Sequence, residues 1–263
     1  TAGARYDDYT DFGSTFNPRL ALVWSTSLKL TTKLLYGRAF RAPSFAELLV
    51  VNNPVSLGNP KLAPETIDTL ELAFDYVYSP DLSFNFNLYR YQIDDLITFV
   101  QNADGATATA QNQGERTGHG FEAALIYDAT EDFTLHSNIA YAKAEDDLVN
   151  QDVGEYPGIQ AYLRGEWAIS NQVKLNTQIS YVGDRDRVPG DSREKLDDYT
   201  QVNLSSSYLF PDKDIKIELA ITNLFDEDIR EPSSATTTFG QVNIPNDLPQ
   251  AGRGFYLEVS TNY

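Results

Sequence analysis

Gly254-Phe255-Tyr256-Leu257-Glu258-Val259-Ser260-Thr261-Asn262-Tyr263 closes the chain, and the way this stretch alternates decides the fold. In an extended segment Phe255, Leu257, Val259, Thr261 and Tyr263 fall on one face, and Tyr256, Glu258, Ser260 and Asn262 on the other, because successive strand side chains point to opposite sides. One face is greasy and the other mainly polar. A bilayer leaves no backbone group unpaired, so β-structure crosses it only as a closed barrel.

The same alternation recurs toward the N-terminus. Ile215, Ile217, Leu219 and Ile221 oppose Lys216, Glu218, Ala220 and Thr222, and Val173, Leu175, Thr177, Ile179 and Tyr181 oppose Lys174, Asn176, Gln178 and Ser180. Ala161, Leu163, Gly165, Trp167 and Ile169 form another uncharged face opposite Arg164 and Glu166, as do Leu70, Leu72, Phe74, Tyr76 and Tyr78 opposite Glu71 and Asp75. Period 2 sustained over about twelve segments argues against helix. It predicts an all-β, antiparallel transmembrane β-barrel. A soluble all-β protein would instead bury the apolar face in a core. Strand length favours the membrane: soluble strands run about 5–6 residues and membrane strands about 9–11, and segments 28–40, 65–78 and 173–183 are all long. Trp24, Tyr78, Tyr127, Trp167, Tyr208 and Phe210 lie near predicted strand ends, where an amphipathic ring suits the headgroup level.

Connections alternate in length. Short polar turns at 25–27, 79–81, 129–132, 170–172 and 211–214 separate long links at 41–64, 100–113, 145–158, 184–197 and 226–252. Outer-membrane barrels keep short turns on the periplasmic side, so the long links are expected to face the medium.

Composition bounds the rest. No run of about 18 apolar residues marks a transmembrane helix. The absence of cysteine excludes disulfides and thiolate chemistry, and a net charge of −18 argues against a nucleic-acid partner, which calls for basic surface. The chain opens on Thr1, contains no Met and shows no signal-peptide pattern. Residues 1–9 read as the end of a strand leading into a loop near 11–14, so a portion of a longer protein is expected.

Five words add specificity: Gly37-Arg38-Ala39-Phe40-Arg41-Ala42-Pro43 with Phe45 and Glu47-Leu48; Gly58-Asn59-Pro60-Lys61-Leu62-Ala63-Pro64-Glu65; Thr117-Gly118-His119-Gly120-Phe121-Glu122; Asn223-Leu224-Phe225-Asp226; and Gly252-Arg253-Gly254-Phe255. In this order the chain resembles the C-terminal half of a TonB-dependent outer-membrane receptor. The resemblance implies a 22-stranded barrel, to which residues 1–263 contribute about twelve strands with the plug domain absent. Ile229 and the terminal Tyr263 depart from the aromatic and the Phe usual there. It further implies energised uptake of a scarce solute, such as a ferric siderophore or cobalamin, in the outer membrane of a Gram-negative bacterium. The implied partners are the bilayer and its lipopolysaccharide, the TonB energising complex through the missing N-terminal part, and the barrel-assembly machinery. Phe255, Leu257, Val259 and Tyr263 resemble the signal that machinery reads.

Much of this vocabulary is structural. Ser44 and Glu47 have capping-box spacing and predict a short helix in the first long link. Gly58-Asn59-Pro60 reads as a turn, and the glycines at 118 and 120 as room for a bulge or a close backbone approach. His119 reads as a rim residue, and the charged face as paired interior charge.

No metalloprotease, nucleophile-elbow or phosphate-loop motif accompanies the two histidines, His119 and His136. An outer-membrane enzyme and a stand-alone twelve-stranded passive pore stay open as alternatives. No cofactor or metal is expected; the Asn150, Asp152, Gly154, Glu155 cluster lacks EF-hand spacing. For an anionic solute the candidate contacts are Arg41, Arg185, Arg187 and Arg193, with Asn52 and Asn53 as neighbours, since guanidinium binds anionic oxygens in bidentate fashion. Asp184, Asp186, Asp191 and Glu194 interleave the same arginines, so local ion pairs compete with that role.

Overall fold

The computed structural model describes residues 1–154, 156–233 and 244–261; Glu155, Asn262 and Tyr263 fall outside the described residues. The elements run β1 (Ala2–Tyr9), β2 (Gly13–Ser25), β3 (Leu30–Arg41), α1 (Phe45–Leu49), β4 (Ser56–Leu57), β5 (Glu65–Ser79), β6 (Leu82–Gln101), β7 (Ala108–Thr130) and β8 (Phe133–Asp146). They continue through β9 (Gln151–Asp152), β10 (Ile159–Ala168), β11 (Val173–Gly183), β12 (Tyr199–Phe210), β13 (Ile215–Thr222), β14 (Arg230–Glu231), β15 (Leu248–Pro249) and β16 (Gly254–Thr261). Twelve long strands hydrogen-bond in the order β1-β2-β3-β5-β6-β7-β8-β10-β11-β12-β13-β16. β1 and β16 end that order.

Two compact units divide the chain: 1–74, 87–120 and 143–152 in one, and 75–86, 121–142 and 153–263 in the other. In the second unit the strand register builds unbroken rows. Leu135, Gly165, Thr177, Leu204, Ile221 and Phe255 face one another across six strands. One residue along, His136, Arg164, Gln178 and Asn203 form a polar row. Those two rows point to opposite sides, so a one-residue slip would exchange the whole apolar face for the polar one. Gly165 is roofed by the Phe133 ring, which a Cβ would meet at 3.3 Å.

The apolar face has no protein cover. Phe255, Leu257 and Val259 are 72%, 67% and 63% exposed, and Leu163, Trp167 and Leu219 are exposed as well. The buried apolar residues among those described are Leu48, Leu62, Ala110, Ala144, Val153, Leu196 and Ile229, none of them from the apolar faces. A soluble sandwich would show the reverse. An uncovered apolar surface this extensive suits hydrocarbon as the outer solvent. Tyr78, Tyr127, Trp167, Tyr208 and Phe210 are exposed where their strands meet the short turns, with Tyr208 and Phe210 packed edge to face at 4.6 Å.

In the first unit β1 and β2 form a hairpin pairing Ala2 with Leu20 and Tyr9 with Gly13. The loop expected near 11–14 is therefore only a three-residue turn, because Gly13 takes a positive φ and enters the ladder at once. The long link expected at 100–113 is corrected in the same way: β6 reaches Gln101 and β7 starts at Ala108. Asp104 accepts bonds from the amides of Ala106 and Thr107 and from the Thr107 hydroxyl, and Gly105 takes φ 68°. An Asp-Gly turn of this kind closes a hairpin; the Ala-Thr run that follows it is too weakly apolar to announce a strand.

Leu163→Arg, in the middle of the uncovered face, is expected to cost about 2–4 kcal/mol in a bilayer. Urea unfolding of the bilayer-embedded protein measures this, with Gln178→Arg on the opposite face as the comparison expected to cost less.

Candidate functional site

In each unit arginine–carboxylate pairs tie down the long connections that follow β3, β11 and β13. In the first unit Arg41, the last residue of β3, donates to both oxygens of Glu65 at the start of β5 and, at 3.1 Å, to both oxygens of Glu47. Glu47 also closes the capping box of α1, taking the Ser44 amide at 2.7 Å while its own amide bonds Ser44 Oγ. The expected short helix is thus present. Arg41, then the Ser44 amide, hold the Glu47 carboxyl below its ordinary pKa. Glu65, almost fully buried, also accepts the Ile97 amide at 2.7 Å.

Gly58 and Asn59 form the second half of this knot. The amides of Gly58 and Asn59 reach the Val50 and Glu47 carbonyls at 2.7 Å, and a Cβ at Gly58 would lie 2.7 Å from the Val50 nitrogen. Only glycine permits that approach. The Asn59 amide side chain crosses to the Ala110 carbonyl, and Leu48, Leu62 and Ala110 pack into a small core with Ile97 beside it. Asn53 turns its side-chain oxygen to the amides of Val55 and Ser56, and Asn52 is exposed. At Gly118 the close approach is to the Tyr91 ring rather than to backbone. His119 is exposed, whereas His136 lies across from Arg164.

In the second unit Arg185, Arg187 and Arg193 line one cleft of about 660 Å³ between the β11–β12 connection and the segment after β13. Each guanidinium is already occupied. Arg187 forks onto Asp247 at 2.9 and 2.7 Å, with side chains only 9% and 10% exposed. Arg193 grips Asp191, Ser233 and Asp247. Arg185 donates to the carbonyls of Asp197 and Arg230 and to Glu231, and stacks 5.0 Å from the centre of the Tyr199 ring. Of the local ion pairs expected, Arg193 to Asp191 is formed, whereas Arg187 and Arg185 find their carboxylates far along the chain. Their partners Asp247, Glu231 and Ser233 lie 40 to 60 residues away. No local pattern marked them.

Asn223 explains another word. With φ 49° and 1% exposure, it bonds the Glu227 amide and carbonyl through its side chain, both at 2.9 Å, and its own amide meets Asn203 Oδ1. Asp226 accepts the Arg253 amide at 2.8 Å, and a Cβ at Gly252 would crowd the Asp226 carboxylate at 3.0 Å. The Asn-Leu-Phe-Asp and Gly-Arg-Gly words are two halves of one joint leading into β16.

Residues 1–224 match the model of the family described as TonB dependent receptor-like, beta-barrel. The chain is 27% identical over 251 residues to the iron-regulated outer membrane virulence protein of Vibrio cholerae, covering 87% of this chain and 38% of that protein. It is 26% identical over 274 residues to the vitamin B12 transporter BtuB of the same species, covering 100% and 39%. Its fold matches the crystal structure of the ferric enterobactin receptor of Pseudomonas aeruginosa with a TM-score of 0.80 at 19% identity, covering 100% of this chain and 42% of that one. The chain thus spans about two-fifths of the length of these proteins.

Asn223→Ala removes two hydrogen bonds made by a side chain that is itself fully buried and is expected to cost about 1–3 kcal/mol, read as a lower unfolding midpoint of the folded protein. A pH series tests the arginine network. Arg187 and Arg193 hold Asp247 and Asp191 below the ordinary carboxylate range. A depressed carboxylate stabilises above its unfolded pKa and loses that contribution as pH falls through the folded one. Amide protection of these loops should hold from about pH 8 to pH 5 and decay only in stronger acid.

Proposed function

This chain belongs to the TonB-dependent receptor-like β-barrel family, and from that premise we propose that it is the C-terminal barrel portion of an outer-membrane receptor for energised uptake of a scarce solute. The observation that carries the reading is an uncovered apolar face on an antiparallel sheet whose long connections, in each unit, are held by ion pairs. A lipid-facing wall serves transport, and the connections at its outer rim serve capture. Residues 1–263 supply about twelve strands of a 22-stranded barrel. The remaining strands, the plug and the TonB-contacting segment belong to other parts of the receptor. The setting is the outer membrane of a Gram-negative bacterium, with lipopolysaccharide against the apolar face.

The solute is a ferric siderophore or cobalamin, the classes named by the ferric enterobactin receptor and the vitamin B12 transporter to which the chain is similar. Residues 184–198 form one wall of the capture site. Arg185, Arg187 and Arg193 serve it by holding that wall in shape, each guanidinium being committed to carboxylates or carbonyls of the chain. Arg41 does the same for the connection that carries Asn52 and Asn53. Phe255, Leu257, Val259 and Tyr263 present the final strand to the barrel-assembly machinery.

The test is uptake by the full-length receptor in cells lacking their own, with a labelled ferric siderophore and labelled cobalamin as probes. Uptake of one of the two, abolished when TonB is deleted, is the expected result. Solute flux indifferent to TonB would replace this reading with a passive pore. Replacing Arg185, Arg187 and Arg193 together by Gln should lower uptake at least tenfold; unchanged uptake would remove residues 184–198 from the capture site.

A further inference from the structure

We propose that the β11–β12 connection and residues 230–233 and 244–250 are not independent loops but one rigid wall, locked at Asp247. This goes beyond the transport reading and does not depend on which solute is carried. Asp247 is the hub. It receives two bonds from Arg187, one from Arg193 at 3.2 Å, and the amide and hydroxyl of Ser233 at 3.0 and 3.2 Å. The arginines come from the connection after β11, whereas Ser233 and Asp247 follow β13.

The lock is reinforced on both sides. Arg193 holds Asp191 within its own connection and reaches the Ser233 hydroxyl and carbonyl across the gap. Arg185 spans the same gap to the Arg230 carbonyl and Glu231. The far segment is closed on itself by the β14–β15 pairing and by the Gln250 amide on the Ile229 carbonyl at 2.8 Å.

The physics makes this arrangement cooperative. Asp247, Arg187 and Asp191 are each at least nine-tenths buried. Withdrawing any one leaves a buried charge short of a partner, which costs more than an exposed ion pair contributes. Groups sharing one network also fail additivity. The two connections therefore stay together or separate together, and a solute that displaces one displaces both.

Backbone hydrogen exchange on the full receptor in detergent micelles tests the lock without any solute, so its outcome is separate from that of the uptake experiment. In Asp247→Asn, amides of 185–197 and of 230–233 should both exchange at least tenfold faster, while β11 and β12 keep their protection. Arg187→Gln should do the same, and the double variant should be no faster than either single one. Asp228→Asn, which removes a carboxylate 71% exposed on the same segment, should change neither. Faster exchange confined to one connection, or effects that add in the double variant, would overturn the proposal. Should Asp247→Asn fail to assemble, Arg193→Lys keeps the charge, loses the fork and carries the same two expectations.

Discussion

Backbone pairing in a surrounding that offers no hydrogen bonds is the constraint from which the rest of this molecule follows. A strand facing hydrocarbon can satisfy its amides only on its neighbours, so the register becomes the fold. The row from Leu135 to Phe255 and the adjacent row from His136 to Asn203 show the consequence. One offset places every charge on the wrong side. A buried apolar core, the usual source of stability, is small; among the described residues it sits at Leu48, Leu62 and Ala110, where connections meet strands.

Because the sheet has so little core, its connections are organised by charge. Arg41, Glu47 and Glu65 gather β3, α1 and β5, while Arg187, Arg193, Asp191 and Asp247 gather the connections after β11 and β13. Guanidinium suits this role because its planar fork fixes distance and orientation together. Buried pairs of this kind specify arrangement more than they stabilise it. An acidic chain thereby commits several of its arginines to the shape of its long connections.

Words that carry family likeness prove to be mechanical parts. Asn223 takes a left-handed backbone and serves two groups of Glu227 at once, a combination few side chains offer. Gly252 leaves room for Asp226, and Gly58 for the backbone of Val50. Such residues were legible as fixed words without their reasons being legible, since each reason lies in a partner brought close by folding. The hairpin at Asp104 and Gly105 shows the opposite failure. Its turn signal was plain in the chain, but the flanking alanines and threonines masked the strands it joins.

Local sequence determined the all-β class and the uncharged apolar face through alternation, the short turns through their polar residues, and the helix at Ser44 through its capping box. These are local properties, because side-chain direction along a strand repeats every second residue whatever the partner. Tertiary structure alone decided what the arginines do. Arg187 and Asp247 are 60 residues apart in the chain and share two hydrogen bonds in the fold. An arginine in a loop has the same appearance in sequence whether it awaits an anion or already holds one, and only the three-dimensional position of the carboxylates distinguishes the two.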